Sequence, residues 1–243
     1  MAGLTPQADA GEAASVRTAQ THMSDAVTPA QAPLPAHAPR AYHSRTAWTT
    51  LLLVLTIGLA ADLVSKAWAF HAVRGVPTVL DRRELLADPD WNVPHHQGIP
   101  ALPFGLLDLQ LVINRGAVFG IGENRRFFFI AFTLGALLAG LFVFGRLTTV
   151  DQPLAHAAIG LILAGGIGNL YDRIAFGVVR DFLHMLPDWH LPFGWTWWGG
   201  SPEMFPWVFN LADVMLLTGM GLLVLHMHRL ERRNQANAKA AST

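Results

Sequence analysis

Four stretches of about twenty residues, each nearly free of charge, constrain this chain more than any other feature. A helix rising 1.5 Å per residue needs about 20 apolar residues to cross roughly 30 Å of hydrocarbon. Segments at about 48–73, 127–145, 152–171 and 205–227 meet that length. The second is the plainest, with nineteen uncharged residues, Phe127 to Gly145, between Arg126 and Arg146. In lipid a segment must satisfy its own backbone hydrogen bonds, so all four are read as helices. The expected fold is a mainly α membrane protein, a four-transmembrane-helix bundle with a small extramembrane β-containing subdomain between the first two helices. Composition agrees: at 52% hydrophobic and 14% charged, the chain is too apolar for a soluble domain and too interrupted to lie wholly in lipid.

The remaining chain divides around these spans. Residues 1–45, rich in Ala, Pro, Ser, Thr and Gln, lack the large apolar side chains that offset ordering entropy, and are expected to be a disordered tail rather than a cleavable signal peptide. Residues 46–230 form the four-span domain, with loops at 74–126 and 172–204, and 231–243 a second tail. Alternation at Leu107, Leu109, Leu111 and Ile113 predicts strands in the first loop. Trp189, Trp195, Trp197 and Trp198 suit the lipid headgroup level, so the second loop is expected at the membrane surface.

Some chemistries drop out. No cysteine is present, which removes thiolate catalysis, disulfides and thiolate-bound metals. The eleven histidines show no ligand spacing, so no metal and no cofactor is expected. A formal net charge of zero argues against a nucleic-acid partner. Orientation is not decided by charge: if the termini share a side, eight Lys and Arg residues fall on each face.

Parity is the decisive step. An even number of spans puts the 1–2 and 3–4 loops on one side, so Asp62 and Lys66, Asn114, Asn169, Asp172 and Arg173, and Asn210 and Asp213 converge on one membrane face. Asp62/Lys66 are four apart; Asn169/Asp172 and Asn210/Asp213 are three apart. Each pair therefore shares a helix face. Ionisable side chains inside spans cost about 2.5–3.5 kcal/mol on insertion scales and turn toward a bundle interior or water. Plainer roles compete. Asp62 with Lys66 reads best as an ion pair tying the first span to the bundle. Asp172 with Arg173 fits an interfacial anchor as well as a supporting role, and Asn114 a turn former before Gly116. Asp213, expected two or three turns inside its span, is hardest to explain structurally.

These residues also carry a family pattern. Asp62-Leu63-Val64-Ser65-Lys66, Asn114-Arg115-Gly116-Ala117-Val118-Phe119-Gly120, Gly165-Gly166-Ile167-Gly168-Asn169-Leu170-Tyr171-Asp172-Arg173, Gly177-Val178-Val179-Arg180-Asp181-Phe182 and Phe209-Asn210-Leu211-Ala212-Asp213 resemble, in order, the signatures of lipoprotein (type II) signal peptidase. The resemblance covers about residues 48–228, with extra length near 84–103 and 189–198. It implies an aspartic endopeptidase of the bacterial inner membrane that cuts a prolipoprotein before its diacylglyceryl-cysteine. It assigns the catalytic pair to Asp181 and Asp213, and supporting roles to Asp62, Lys66, Asn114, Gly116, Asn169, Asp172, Arg173 and Asn210. The termini would be cytoplasmic, the site periplasmic, the partners a lipid-modified signal peptide and membrane lipid, and the state monomeric. The rival class is a transporter or proton-coupled channel, since intramembrane Asp and Lys also mark ion routes. Against it, the acids gather near one surface.

Overall fold

Apart from Gly3, the computed structural model describes residues 38–116, 126–197 and 200–242. Residues 4–37 of the proposed tail, the motif residues Ala117 to Gly120 and Trp198 lie outside the described residues.

The helices are α1 (Arg45–Ala72), a short α2 (Arg82–Ala87), α3 (Arg126–Phe142), α4 (Pro153–Ala175) and α5 (Leu211–Ala241). A π turn, Val143–Leu147, continues α3. Four of them, α2 being the exception, are long and apolar enough to cross a membrane, as the sequence predicts. Local chemistry sets their starts. The Ser44 hydroxyl accepts from the Ala47 amide at 3.2 Å, Pro153 occupies the first turn of α4, and Asn210 caps α5.

The α4 helix is the centre of the bundle, packing against α1, α3 and α5. Small residues bring the backbones together. A Cβ on Gly160 would lie 3.0 Å from the Leu51 carbonyl oxygen, and one on Gly219 of α5 would lie 2.7 Å from that of Ala158. Between α1, α4 and the end of the second span, Leu51, Phe144, Ile159 and Leu163 form one buried cluster.

Four antiparallel strands sit at the end of the bundle where α4 stops: β1 (Ile99–Leu102), β2 (Leu107–Asn114), β3 (Val179–Met185) and β4 (Val208–Phe209), in that order across the sheet. The alternation at 107–113 does form a strand. The sheet is not confined to the 1–2 loop, however, because the 3–4 loop supplies β3 and β4. Gly177, at φ +89°, provides the left-handed turn that reverses the chain from α4 into β3. The register pairs Val112 with Asp181 and Asn114 with Val179. Phe70 of α1 and Val73 just past its end meet Leu85 of α2, Leu111 of β2 and Phe182 of β3 in a second core, which fixes the sheet to the bundle.

Three boundaries differ from expectation. Residues 205–210, expected inside the fourth span, are not helical: Val208-Phe209 pair with β3, and Asn210 starts the helix at Leu211. Asp213 therefore lies in the first turn of α5, not two or three turns inside it. At its other end α5 continues to Ala241, through residues expected to be tail. At the N-terminus, Ala41 is fully buried and its amide donates to the Thr148 carbonyl at 3.0 Å, so residues 41–45 pack on the bundle.

Candidate active site

Asp181 and Asp213 reach the same place from different elements. Asp181 is the third residue of β3, 1% exposed. Its Oδ2 accepts from Asn114 Nδ2 at 3.1 Å across the β2–β3 pairing, and its Oδ1 from Asn210 Nδ2 at 2.6 Å. Asp213 occupies the third position of α5. Its Oδ2 accepts from the Asn210 amide at 3.1 Å while Asn210 Oδ1 accepts from the Asp213 amide at 3.2 Å, a reciprocal capping box. Asp213 Oδ1 accepts from Asn169 Nδ2 at 2.8 Å. Asn210 thus bonds both carboxylates, that of Asp181 through its side-chain amide and that of Asp213 through its backbone amide.

Burial raises the Asp181 carboxyl to about 7, with the Asp213 carboxylate as the next cause; the amides of Asn114 and Asn210 pull the other way. A proton is therefore held at Asp181 up to about neutral pH.

Beneath the acids lies a buried ion network, with Asp62, Lys66 and Asp172 fully enclosed. Lys66 Nζ bonds Asp62 Oδ2 at 2.8 Å and Asn169 Oδ1 at 2.9 Å, and lies 3.5 Å from Asp172 Oδ2. Asp62 Oδ1 accepts from the Ala212 amide at 2.9 Å, adding the first turn of α5. Asp172 receives the Arg180 side chain at 2.8 Å and the Arg180 backbone amide at 3.0 Å, which fixes β3 immediately before Asp181. Lys66 and Asn169 thus tie α1 and α4 to the residue that carries both acids, since Asn169 Oδ1 also accepts from Asn210 Nδ2 at 3.1 Å.

The acids border two cavities. One of about 640 Å³ is lined by Asn114, Asp181 and Asp213, by Val214 and Leu217 on α5, and by His184 and Glu203. The second, about 420 Å³, is nearly all apolar. It lies between α3 and α5 against α4, with Phe128, Phe132 and Leu216 in its wall and Asp213 at its edge.

The model of the signal peptidase (SPase) II family matches residues 54–229, nearly the whole bundle and both acids. The chain belongs to that family. Relatives named lipoprotein signal peptidase include that of Geobacter metallireducens, 37% identical over 168 residues (68% of this chain and 93% of the relative), and that of Syntrophotalea carbinolica, 37% identical over 188 residues (76% and 95%). The lipoprotein signal peptidase of Symbiobacterium thermophilum is 37% identical over 142 residues, covering 58% and 82%. A bacterial membrane enzyme solved by the in meso method at 2.3 Å shares the fold, with a TM-score of 0.53 at 23% identity, covering 79% of this chain and 93% of that one. Membership in the signal peptidase II family makes the chain a protease, and its four apolar helices make it a multi-pass membrane protein.

Every site residue named from the signal peptidase II signatures falls within this one network. Gly116 enters through its backbone: its amide donates to Asn114 Oδ1 at 3.0 Å, and its carbonyl accepts from Arg173 at 3.1 Å. Two sequence readings change. Asp172 is not an interfacial anchor but fully buried between Lys66 and Arg180. Arg173, read with it as the same anchor, holds the Gly116 carbonyl, and Arg180 steadies the strand just before Asp181. Arg180 was legible only as the neighbour of Asp181 in its motif. His184 and Glu203 escaped sequence reasoning because pairing across nineteen residues leaves no local spacing.

Proposed function

We propose that the protein is an aspartic endopeptidase that removes signal peptides from lipid-modified prolipoproteins, cutting before the diacylglyceryl-cysteine with Asp181 and Asp213 as its catalytic dyad. The observation that carries this reading is the sharing of Asn210 by two acids at the wall of one cavity, with Asp181 raised to about 7. Neighbouring carboxylates in such a setting hold one proton between them. The ionised member takes a proton from water as that water attacks the scissile carbonyl carbon. The protonated member donates to the carbonyl oxygen, and collapse of the tetrahedral intermediate, with proton delivery to the leaving nitrogen, breaks the C–N bond. The pair titrates as a unit, so neither acid is permanently the base.

The remaining residues position the pair. Asn114, Asn169 and Asn210 orient the carboxylates, Gly116 sets the Asn114 amide, and Asp62, Lys66 and Asp172, with Arg173, hold the elements together. The apolar cleft beside Asp213 suits the acyl chains of the substrate, and the larger cavity its peptide. Ion transport finds less support, because α4 carries no ionisable side chain from Ala157 to Gly168. We place the protein in the bacterial inner membrane as a monomer, with its site at the periplasmic face.

The test is cleavage of a lipid-modified precursor by purified Asp181→Asn and Asp213→Asn. Each is expected to fold and insert yet lose roughly 10³-fold or more of kcat/KM. Near-normal turnover by either variant removes that residue from the dyad.

A further inference from the structure

We propose that Glu203 is a specificity residue: with His184 it gives the cavity an acidic wall that favours a cationic substrate side chain, and disfavours an acidic one, about three residues past the bond that is cut. The inference rests on the peptidase reading above.

Residues 186–197 and 200–207 run back beside each other as an arm next to the sheet. The Leu191 amide donates to the Pro202 carbonyl at 2.8 Å, and the Met204 amide to that of Trp189 at 2.6 Å. His190 and Glu203 face each other as a bridge, and Trp197 Nε1 donates to the Glu203 carbonyl at 2.9 Å. The backbone of Glu203 is therefore fixed from two directions. Its side chain reaches His184 of β3, Oε2 to Nε2 at 3.2 Å, and remains 34% exposed, against 8% for His184. Both residues line the cavity that holds Asp181 and Asp213.

Other charged groups share this wall. Arg115, also in the lining, donates to three carbonyl oxygens, those of Leu85, Asp88 and Trp91, at 2.8–3.2 Å, which holds its guanidinium in place. Asp181 is buried among asparagines, so an incoming charge meets two partly exposed carboxylates on this lining, Asp213 within the dyad and Glu203 outside it. A carboxylate offers about four acceptor directions, so the His184 contact leaves room for an ammonium or guanidinium group.

Distance and polarity fix the position. His184 follows Asp181 by three strand residues, about 10 Å at 3.3 Å each, which is also the reach of three extended substrate residues. On α5, past Asp213 in the chain, the lining is apolar at Val214 and Leu217. That part suits the hydrophobic signal segment and leaves the Glu203 part to the residues after the cut.

The experiment uses the full chain in detergent with lipid-modified precursors carrying Lys, Gln or Glu at the second, third or fourth residue past the scissile bond. For the wild type, kcat/KM with Lys should exceed that with Glu by roughly tenfold at one of these positions, as expected for one charge contact in a half-solvated wall. Glu203→Gln should bring the ratio near one, and Glu203→Lys should reverse it, with the unfolding temperature of each variant reporting its fold. A wild-type ratio near one, or the same ratio in wild type and Glu203→Gln, overturns the inference while cleavage itself keeps the peptidase reading. Failure of the wild type to cut any precursor overturns both.

Discussion

The second and third spans are similar in length and both apolar, yet they do opposite work. Of the most apolar stretch of α4, 61% is buried within the protein; of that in the second span, 6%. The second span is a run of Phe, Leu, Ala and Gly with an aromatic outer face, Phe128 and Phe132 being 60% and 66% exposed. Lipid is as good a solvent for such side chains as protein is, so nothing pulls this helix inward. The α4 helix carries Asn169 and Asp172, which lipid does not tolerate, together with glycines that let three helices approach them. Polarity, not hydrophobicity, thus decides which span becomes the centre.

Substitutions can break or sharpen that contrast. The largest effect is expected where polarity anchors the centre. Lys66→Met leaves Asp62 buried without its cation and takes one of two cations from Asp172, and should cost about 3–5 kcal/mol of unfolding free energy in detergent, with loss of precursor cleavage. Next is the close approach on α4. A Cβ on Gly168 would run into Asp62 Oδ2, the atom that bonds Lys66. Gly168→Ala should cost about 1–3 kcal/mol and lower turnover.

A smaller, pH-dependent effect separates the site from the bundle. Asp181 binds its proton more tightly folded than unfolded, so its stabilising contribution is full below 3.8 and lost as pH rises to about 7. Asp181→Asn is neutral throughout and should gain unfolding temperature relative to wild type across that window, then run level. A difference independent of pH would remove the raised proton affinity. Turnover should fall on the alkaline side of about 7, where the shared proton is lost. The smallest change belongs to the second span. Nothing lies within 4 Å of a Cβ on Gly135, and Gly135→Ala should alter stability by no more than about 0.5 kcal/mol. A cost as large as that of Gly168→Ala would contradict the picture of a lipid-facing wall.

The bundle was legible because membrane length and internal hydrogen bonding act over contiguous residues, and the convergence of Asp62, Asn169 and Asp213 followed from counting spans. The strand at 107–114 was legible from alternation. The start of α5 was not, since an apolar run such as Phe205 to Phe209 reads alike as helix or strand, and only its pairing with β3 distinguishes them. Asp181 illustrates a different limit. It sits in a strand outside every span, so polarity within lipid could not single it out; only the resemblance of its motif did. Glu203 depends on the path of an arm that no periodicity records.

Asn210 makes the start of a helix and the spacing of two acids one and the same object. Its amide is also the least durable bond in that arrangement: loss of ammonia would turn a donor shared by Asp181 and Asn169 into a third negative oxygen group between them. Burial and its bonds to Asp181 and Asn169 hold that side chain in place against attack by the Leu211 nitrogen, the usual route to such loss. The working lifetime of the protein is thereby linked to how well the bundle stays closed around a single side chain, and a preparation that ages should fail first in chemistry while its helices remain intact.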